Sequence, residues 1–219
     1  MYGKYMTVER SRRTQEERRE ATRAKILDAA VASLTERGYS ETTTAEVQAR
    51  AEVPRGTLLH HFPTRVDLVV GAMQHLTQRR LDELARERAL TPATSDSADA
   101  MVEVVWRYFT APSFWAAVEL WNAARTDPEL RGALYPLEKE IFATLHSHTR
   151  ELLQTQFPDD HRVPTIVDFT LSMVTGIAMT TIINPDLAGR ELLIRRWKRA
   201  VKVLLGDMDP ARLVEGGRR

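Results

Sequence analysis

The sequence contains no cysteine, which excludes disulfide bonds, thiol catalysis and zinc sites built on cysteine. It also has almost no net charge, with 31 Lys and Arg against 30 Asp and Glu, so any surface that attracts an anionic partner must be local. No Gly-rich phosphate loop, Ser-His-Asp order or paired-carboxylate pattern occurs along it. These absences predict a protein that is not an enzyme and that holds neither a cofactor nor a metal.

Long apolar stretches are scarce as well. The one candidate, residues 166–183, approaches the length of about 20 residues that spans a bilayer, but it contains Asp168 and many hydroxyl side chains. The N-terminus is charged and has no apolar core of the kind found in a secretory signal. We therefore expect a buried helix at 166–183 and a soluble, cytoplasmic protein with no membrane partner.

What the sequence does have is helical periodicity and helix-start signals throughout. A Ser or Thr followed three residues later by an acidic residue is typical of a capped helix N-terminus. Asp127-Pro128 is another helix start, Gly38 is a suitable stop, and Pro136 predicts a kink or a restart. No segment alternates like a strand, so the predicted fold is all-α. The three capping pairs are Thr14–Glu17, Thr43–Glu46 and Thr64–Asp67.

The chain divides into four predicted regions. Residues 1–13 form a flexible basic arm, 14–68 a three-helix domain, 69–206 a larger helical domain and 207–219 a tail. Residues 1–25 carry eight Lys and Arg against four Glu, which fits either a solvated segment or a phosphate-binding arm. The clearest linker is residues 91–97, rich in Thr, Ser and Pro.

Residues 43–62 read as two short helices joined by a tight turn. That arrangement is typical of a helix-turn-helix, whose second helix enters the major groove of DNA. Hydroxyls at the N-terminus of the first helix suit a phosphate, whereas an arginine or threonine early in the second can reach base edges. Histidine side chains can donate a hydrogen bond to a phosphate or to a base edge. The candidate DNA-binding residues are Thr43, Thr44, Arg55, Thr57, His60, His61 and Arg65.

The segment from about Arg23 to Leu68 resembles the tetracycline-repressor (TetR) family of bacterial transcriptional regulators. The resemblance implies phosphate contacts for Thr43, Thr44, His61 and Arg65, and base contacts for Arg55, Thr57 and His60. It also implies an effector pocket and a dimer interface in the larger domain. The motifs that carry it are Ile26-Leu27-Asp28-Ala29-Ala30, Gly38-Tyr39, Thr43-Thr44, Arg55-Gly56-Thr57-Leu58, His60-His61-Phe62 and Asp67-Leu68.

Three residues depart from the family pattern. Leu59 stands where the family most often has a phosphate-binding Tyr, so that contact is missing. Glu52 replaces the usual turn Gly and must either adopt a left-handed conformation or reshape the turn. Pro54 replaces the usual Ser cap, yet proline can still open a helix.

Two apolar patterns near the C-terminus predict a homodimer. Small residues recur four apart, which lets a second helix approach closely, and the last helix has a wide apolar face. A palindromic operator also needs two recognition helices. The alternative is ordinary burial within one chain. The predicted interface residues are Ser172, Gly176, Thr180, Trp197, Val201 and Leu204.

Aromatic residues concentrate between positions 106 and 121. They predict either a hydrophobic core or the wall of a pocket for a small apolar or aromatic effector, with nearby polar groups orienting the ligand. The candidate ligand-binding residues are Trp106, Phe109, Trp115, Trp121, Asn122 and Arg125.

The leading interpretation is a homodimeric, ligand-responsive transcriptional regulator. It would bind a double-stranded palindromic operator, most simply as a repressor, and would be released by the effector. One alternative is a small-molecule-binding or scaffolding dimer with a vestigial DNA module. The other is a DNA-binding protein without an effector.

Overall fold

The computed structural model describes residues 3–90, 96–182 and 187–213. Across these ranges the chain is all-α, as predicted, with no strand. Short 3-10 helices lie at Thr180–Ile182 and Pro210–Leu213. The α-helices are α1 (Gly3–Glu41), α2 (Thr44–Ala51), α3 (Arg55–His61), α4 (Arg65–Leu90), α5 (Ser97–Thr110), α6 (Pro112–Ala124), α7 (Pro128–Gln154), α8 (Val163–Met179) and α9 (Leu187–Leu205).

Three of the four predicted helix starts are confirmed by their capping bonds. Thr43 Oγ1 accepts from the Glu46 N–H at 3.1 Å, and Asp127 Oδ1 accepts from the Leu130 N–H at 3.0 Å. The Thr64–Asp67 pair is reciprocal, since each side chain accepts from the other residue's N–H at 3.0 Å. The start at Thr14 is wrong, because α1 already begins at Gly3.

Residues 3–13, predicted as a flexible arm, therefore belong to α1. Residues 1–2 of the arm, 91–95 of the linker and 214–219 of the tail lie outside the described part of the chain. Gly38 interrupts α1 with φ of 75°, a left-handed conformation that glycine adopts without steric cost. By contrast, α7 runs through Pro136, so the helix does not restart there.

The contacts group the chain into two compact units. The first unit comprises the residues up to Arg79 together with Trp115–Leu137. The second comprises Arg80–Phe114 and the chain from Glu138 onward. Both units are discontinuous in sequence, and the division into domains at residue 68 stays a prediction.

The first unit has a core built on the apolar stripe of α1. This stripe packs with the buried faces of α2, α3 and the start of α4, which fixes the short helices against a long one. Its most buried side chains, each no more than 2 % exposed, include Ile26, Leu27, Ala30, Leu34, Val47, Leu58 and Leu68.

The second unit is built on α5, α8 and α9, which pack against one another. Met101, Val105, Val167 and Val201 are all fully buried in it. At its surface Lys202 Nζ lies 2.5 Å from Asp96 Oδ2 and 3.0 Å from Asp99 Oδ1, which joins α9 to the start of α5. Within the described ranges, no helix is both long and apolar enough to cross a membrane.

Candidate nucleic-acid interface

The helix-turn-helix is α2, a three-residue turn and α3. Thr43 caps α2, and its hydroxyl and that of Thr44 stand at the helix N-terminus, where the helix dipole favours an anion. Thr43 is exposed and Thr44 half-buried. Buried Val47 and Ala51 fix α2 to the core of the first unit, so this end of the helix is rigidly presented.

The turn between the helices depends on a strained residue. Glu52 adopts the left-handed conformation, with φ 48° and ψ 45°, and its N–H donates to Ala49 O at 3.2 Å. The second option raised by the sequence, a reshaped turn, does not occur. Lys25 Nζ lies 3.5 Å from Glu52 Oε2, but both side chains are exposed and such a pair contributes little.

The recognition helix α3 has one buried and one exposed side. Leu58 is 1 % exposed and Phe62, just after the helix, is 4 % exposed, so these two anchor it. Arg55 and His60 are exposed, and Thr57 is half-buried. As expected, Pro54 opens α3 without a side-chain cap. The short helix therefore presents its predicted base-reading residues from a fixed hydrophobic anchor.

His61 is half-buried and lies between two other rings. Its ring centroid lies 5.7 Å from that of His60 and 6.3 Å from that of Phe62. Burial lowers the pKa of His61, and the nearby charges of His60, Arg19 and Arg23 lower it further, whereas Glu20 opposes the shift. The imidazole is therefore neutral at pH 7 and gains a proton more readily when an anion approaches.

Arg65 makes contacts within the chain that the sequence did not predict. Its Nε donates to Thr42 O at 2.8 Å and its Nη2 donates to Tyr39 O, while its guanidinium carbon lies 4.1 Å from the Tyr39 ring centroid. These bonds tie the start of α4 to the end of α1 and the segment before α2. Arg65 thus supports the geometry of the helix-turn-helix whatever it contributes to a phosphate.

One contact to this interface escaped the sequence analysis. Arg23 of α1 places its guanidinium carbon 5.5 Å from the centroid of the Phe62 ring, beside the recognition helix. The basic composition of residues 1–25 was visible in the sequence. The contact itself was not, because it depends on how α1 crosses α3.

Comparison with known proteins agrees with this geometry. Residues 26–72 match the family model for bacterial regulatory proteins of the tetR family. An uncharacterized HTH-type transcriptional regulator of Mycobacterium tuberculosis is 30% identical over 175 residues, which cover 80% of this chain and 89% of that protein. The chain belongs to the TetR family. It is a DNA-binding transcriptional regulator with a helix-turn-helix.

Other relatives and solved structures match more distantly. The regulator CymR of Pseudomonas putida is 32% identical over 120 residues, 55% of this chain and 59% of that protein. A transcriptional regulator from Rhodococcus sp. Rha1 superposes with a TM-score of 0.68 at 20% identity, covering 86% of this chain and 99% of that one. The multidrug binding protein EbrR, solved with imidazole, gives 0.58 at 22% identity, covering 83% and 93%. At these identities the structures establish the fold of the TetR-family chain.

The predicted effector-binding residues fall in different environments. Phe109 is 3 % exposed and makes edge-to-face contacts with Tyr108 and Phe114, both at 5.2 Å, so it is a core residue of the second unit. Trp106, in that unit, is half-buried. The other four lie in the first unit, where the two tryptophans are half-buried and the two polar residues exposed: Trp115, Trp121, Asn122 and Arg125.

The structure corrects two of the predicted interface residues. Trp197 is 9 % exposed, and its indole N–H donates to the buried Thr170 Oγ1 at 3.0 Å, while Val201 is fully buried. Both belong to the chain's own core and offer no surface to a partner. The remaining four are exposed, namely Ser172, Gly176 and Thr180 on or just after α8 and Leu204 on α9.

Proposed function

We propose that this chain is a cytoplasmic, homodimeric transcriptional repressor that binds a palindromic operator and leaves it when a small apolar or aromatic molecule binds. In this proposal Arg55, Thr57 and His60 read bases. Thr43, Thr44 and His61 bind phosphates. Arg65 both stabilises the fold and contacts a phosphate.

The observation that carries the DNA-binding proposal is the exposed face of α3. Arg55 is exposed at the start of the helix, and no ion pair involving it occurs in the described part of the chain. Leu58, three residues further along α3, is buried and fixes the helix to the core. A free guanidinium on a rigid short helix is suited to the O6 and N7 atoms of guanine.

The dimer proposal rests on apolar side chains that α8 and α9 leave in solvent. Phe169 is 57% exposed, Met173 39%, Leu193 46% and Leu204 45%. These residues lie on the two helices that also carry the small residues Ser172 and Gly176. Apolar surface of this extent is stabilised when a second copy covers it.

The effector proposal draws on structural relatives. EbrR was solved with imidazole and with proflavin, and a regulator from Saccharomonospora viridis with choline. We infer that this chain also responds to a small organic molecule and that Trp121 contributes to its binding. A roughly hundredfold loss of operator affinity needs only about 2.7 kcal/mol of differential effector binding.

Selection from random duplexes tests the DNA-binding proposal. The wild-type protein should enrich an inverted repeat whose half-sites lie about one helical turn apart, and its affinity should fall steeply with salt. Arg55→Ala should relax base preference at one position in each half-site, at a cost of roughly 1–3 kcal/mol. Arg131→Ala, which removes an exposed arginine from α7, is the matched control and should retain the wild-type sequence preference. Failure to enrich any palindrome would overturn the proposal.

Melting curves and operator release test the effector proposal. Proflavin and a panel of other aromatic compounds are added to the protein alone and to the operator complex. A compound that binds should raise the melting temperature of the free protein and release DNA. Trp121→Ala should weaken both responses while the protein remains folded. If no compound produces either response, the effector proposal is wrong, whatever the outcome of the DNA selection.

A further inference from the structure

Basic side chains of α1 lie beside the recognition helix. The Arg23 guanidinium lies over the Phe62 ring, and Phe62, His61 and His60 follow one another with ring-centroid separations of 6.3 and 5.7 Å. Arg19 precedes Arg23 by four residues on the same helix and therefore lies on the same side, one turn closer to the N-terminus. Two cations of α1 thus continue the polar surface of α3.

These two cations differ from three other basic residues of the first unit. Lys25, Arg37 and Arg50 each lie within 4.0 Å of a carboxylate, on Glu52, Glu46 or Glu36. In the described ranges no such ion pair involves Arg19 or Arg23. Glu20 is the acidic residue whose charge raises the pKa of His61, against the lowering effect of both Arg19 and Arg23.

A cluster with two arginines and no paired carboxylate in the described ranges repels itself through the two guanidinium charges. It gains stability when an anion settles against it, because the Coulomb repulsion is then relieved and the guanidinium groups find acceptors. The phosphate backbone of duplex DNA is the anion that a recognition helix brings to this place.

We propose that Arg19 and Arg23 bind phosphates of the operator beside those that α3 contacts, so that α1 supplies a further part of the DNA-binding surface. This inference rests on the proposed function of α3 in operator binding. The phosphate contacts of Arg19 and Arg23 add affinity without sequence preference, because phosphates carry no base information.

Salt dependence of operator binding tests the assignment. Arg19→Gln and Arg23→Gln should each flatten the plot of log affinity against log salt by about one unit, and the double variant by about two. The selected operator sequence should stay the same in all three variants. Arg18→Gln is the matched control, since Arg18 is an exposed neighbour about 100° further round the helix, and it should leave the slope unchanged.

Ethylation interference supplies a second readout that does not depend on the slope. The wild-type protein should show phosphates whose modification blocks binding, and a distinct subset of these should cease to matter in the Arg19→Gln, Arg23→Gln double variant. His61→Gln should remove a different subset.

Arg23→Gln also removes the contact with Phe62, so its melting temperature is measured alongside. Arg19 makes no such contact, and its variant keeps the test valid if Arg23→Gln unfolds.

Two failures are distinguishable. If the wild-type protein enriches no operator, the proposed function of the helix-turn-helix is wrong. If the wild type binds its operator but Arg19→Gln and the control Arg18→Gln give the same salt slope and the same interference pattern as wild type, the role of α1 is overturned.

Discussion

At the scale of single residues, Glu52 shows how a departure from a family pattern is accommodated. The turn between α2 and α3 requires a left-handed residue, and Glu52 adopts that conformation with φ 48°. An L-residue with a side chain pays roughly 1–2 kcal/mol for this, whereas glycine does not. The exposed contact with Lys25 is too weak to offset the strain.

Glu52→Gly should therefore stabilise the protein by about 0.5–1 kcal/mol, after the extra chain entropy of glycine is counted. Urea denaturation measures the change. Glu52→Ala is the control, because it removes the contact with Lys25 and keeps the strain. An equal gain in both variants would assign the effect to the carboxylate and contradict this account.

Arg65 is the second residue whose role depends on its surroundings. The sequence assigned it to a phosphate, and that role stays a prediction. In the folded chain its guanidinium bonds to the carbonyls of Thr42 and Tyr39, which no other residue type could do with the same planar fork.

Arg65→Ala should lower the free energy of unfolding by about 2 kcal/mol, since two charge-assisted bonds and a ring contact are lost. Arg65→Lys keeps the charge but not the fork, and should recover less than half of the loss. Unfolding and salt-dependent DNA binding are measured together. If Arg65→Ala changed only the salt slope, the phosphate role alone would account for this residue.

At the scale of elements, local signals located three helix starts but not the side of each helix that is buried. The Thr64–Asp67 and Asp127 caps are local hydrogen bonds and follow directly from residue type and spacing. The apolar face of α9 was visible as a pattern. Packing decides whether this face is covered by a partner copy or by the chain's own α8. In the structure, the indole N–H of Trp197 donates to Thr170 Oγ1 of α8.

Trp197→Phe should lower stability by about 1–2 kcal/mol, because Thr170 Oγ1 loses its buried donor and the smaller ring leaves space. The midpoint of the unfolding transition should shift by the same amount at all protein concentrations. Leu204→Ala removes an exposed side chain of the same helix, and its effect should depend on concentration if α9 lies at the dimer interface. If the unfolding midpoint of Trp197→Phe shifted by an amount that depends on protein concentration, Trp197 would instead lie at the dimer interface.

At the scale of the whole molecule, the outstanding feature is apolar surface on α8 and α9. Gly176 lies on this surface, and a Cβ built there meets no atom within 4 Å beyond the adjoining backbone of its own helix. A larger side chain at this position therefore fits one chain by itself. It would conflict only with a second copy packed against α8.

Gly176→Leu should preserve the helicity of the chain, because leucine favours helix more than glycine does. Light scattering should nevertheless show loss of the dimer, and operator affinity should fall. Gly132→Leu is the matched control, since a Cβ there is equally unopposed on α7. A Gly176→Leu dimer with wild-type operator binding would place the interface elsewhere.

The sequence by itself determined the all-α fold, three helix starts and the helix-turn-helix. These depend on interactions between residues a few positions apart, namely caps, periodicity and backbone preference, which residue type fixes. It also recorded the basic composition near the N-terminus, although it did not show which of those residues approach α3.

Only the tertiary structure decided which side chains each apolar face covers. It buried Trp197 and Val201 within one chain, made Phe109 a core residue and left Asn122 and Arg125 exposed. It also turned Arg65 toward backbone carbonyls and brought Arg23 to Phe62. Such pairings join residues distant in sequence, and their free energy comes from burial and hydrogen bonds that exist only once the helices cross.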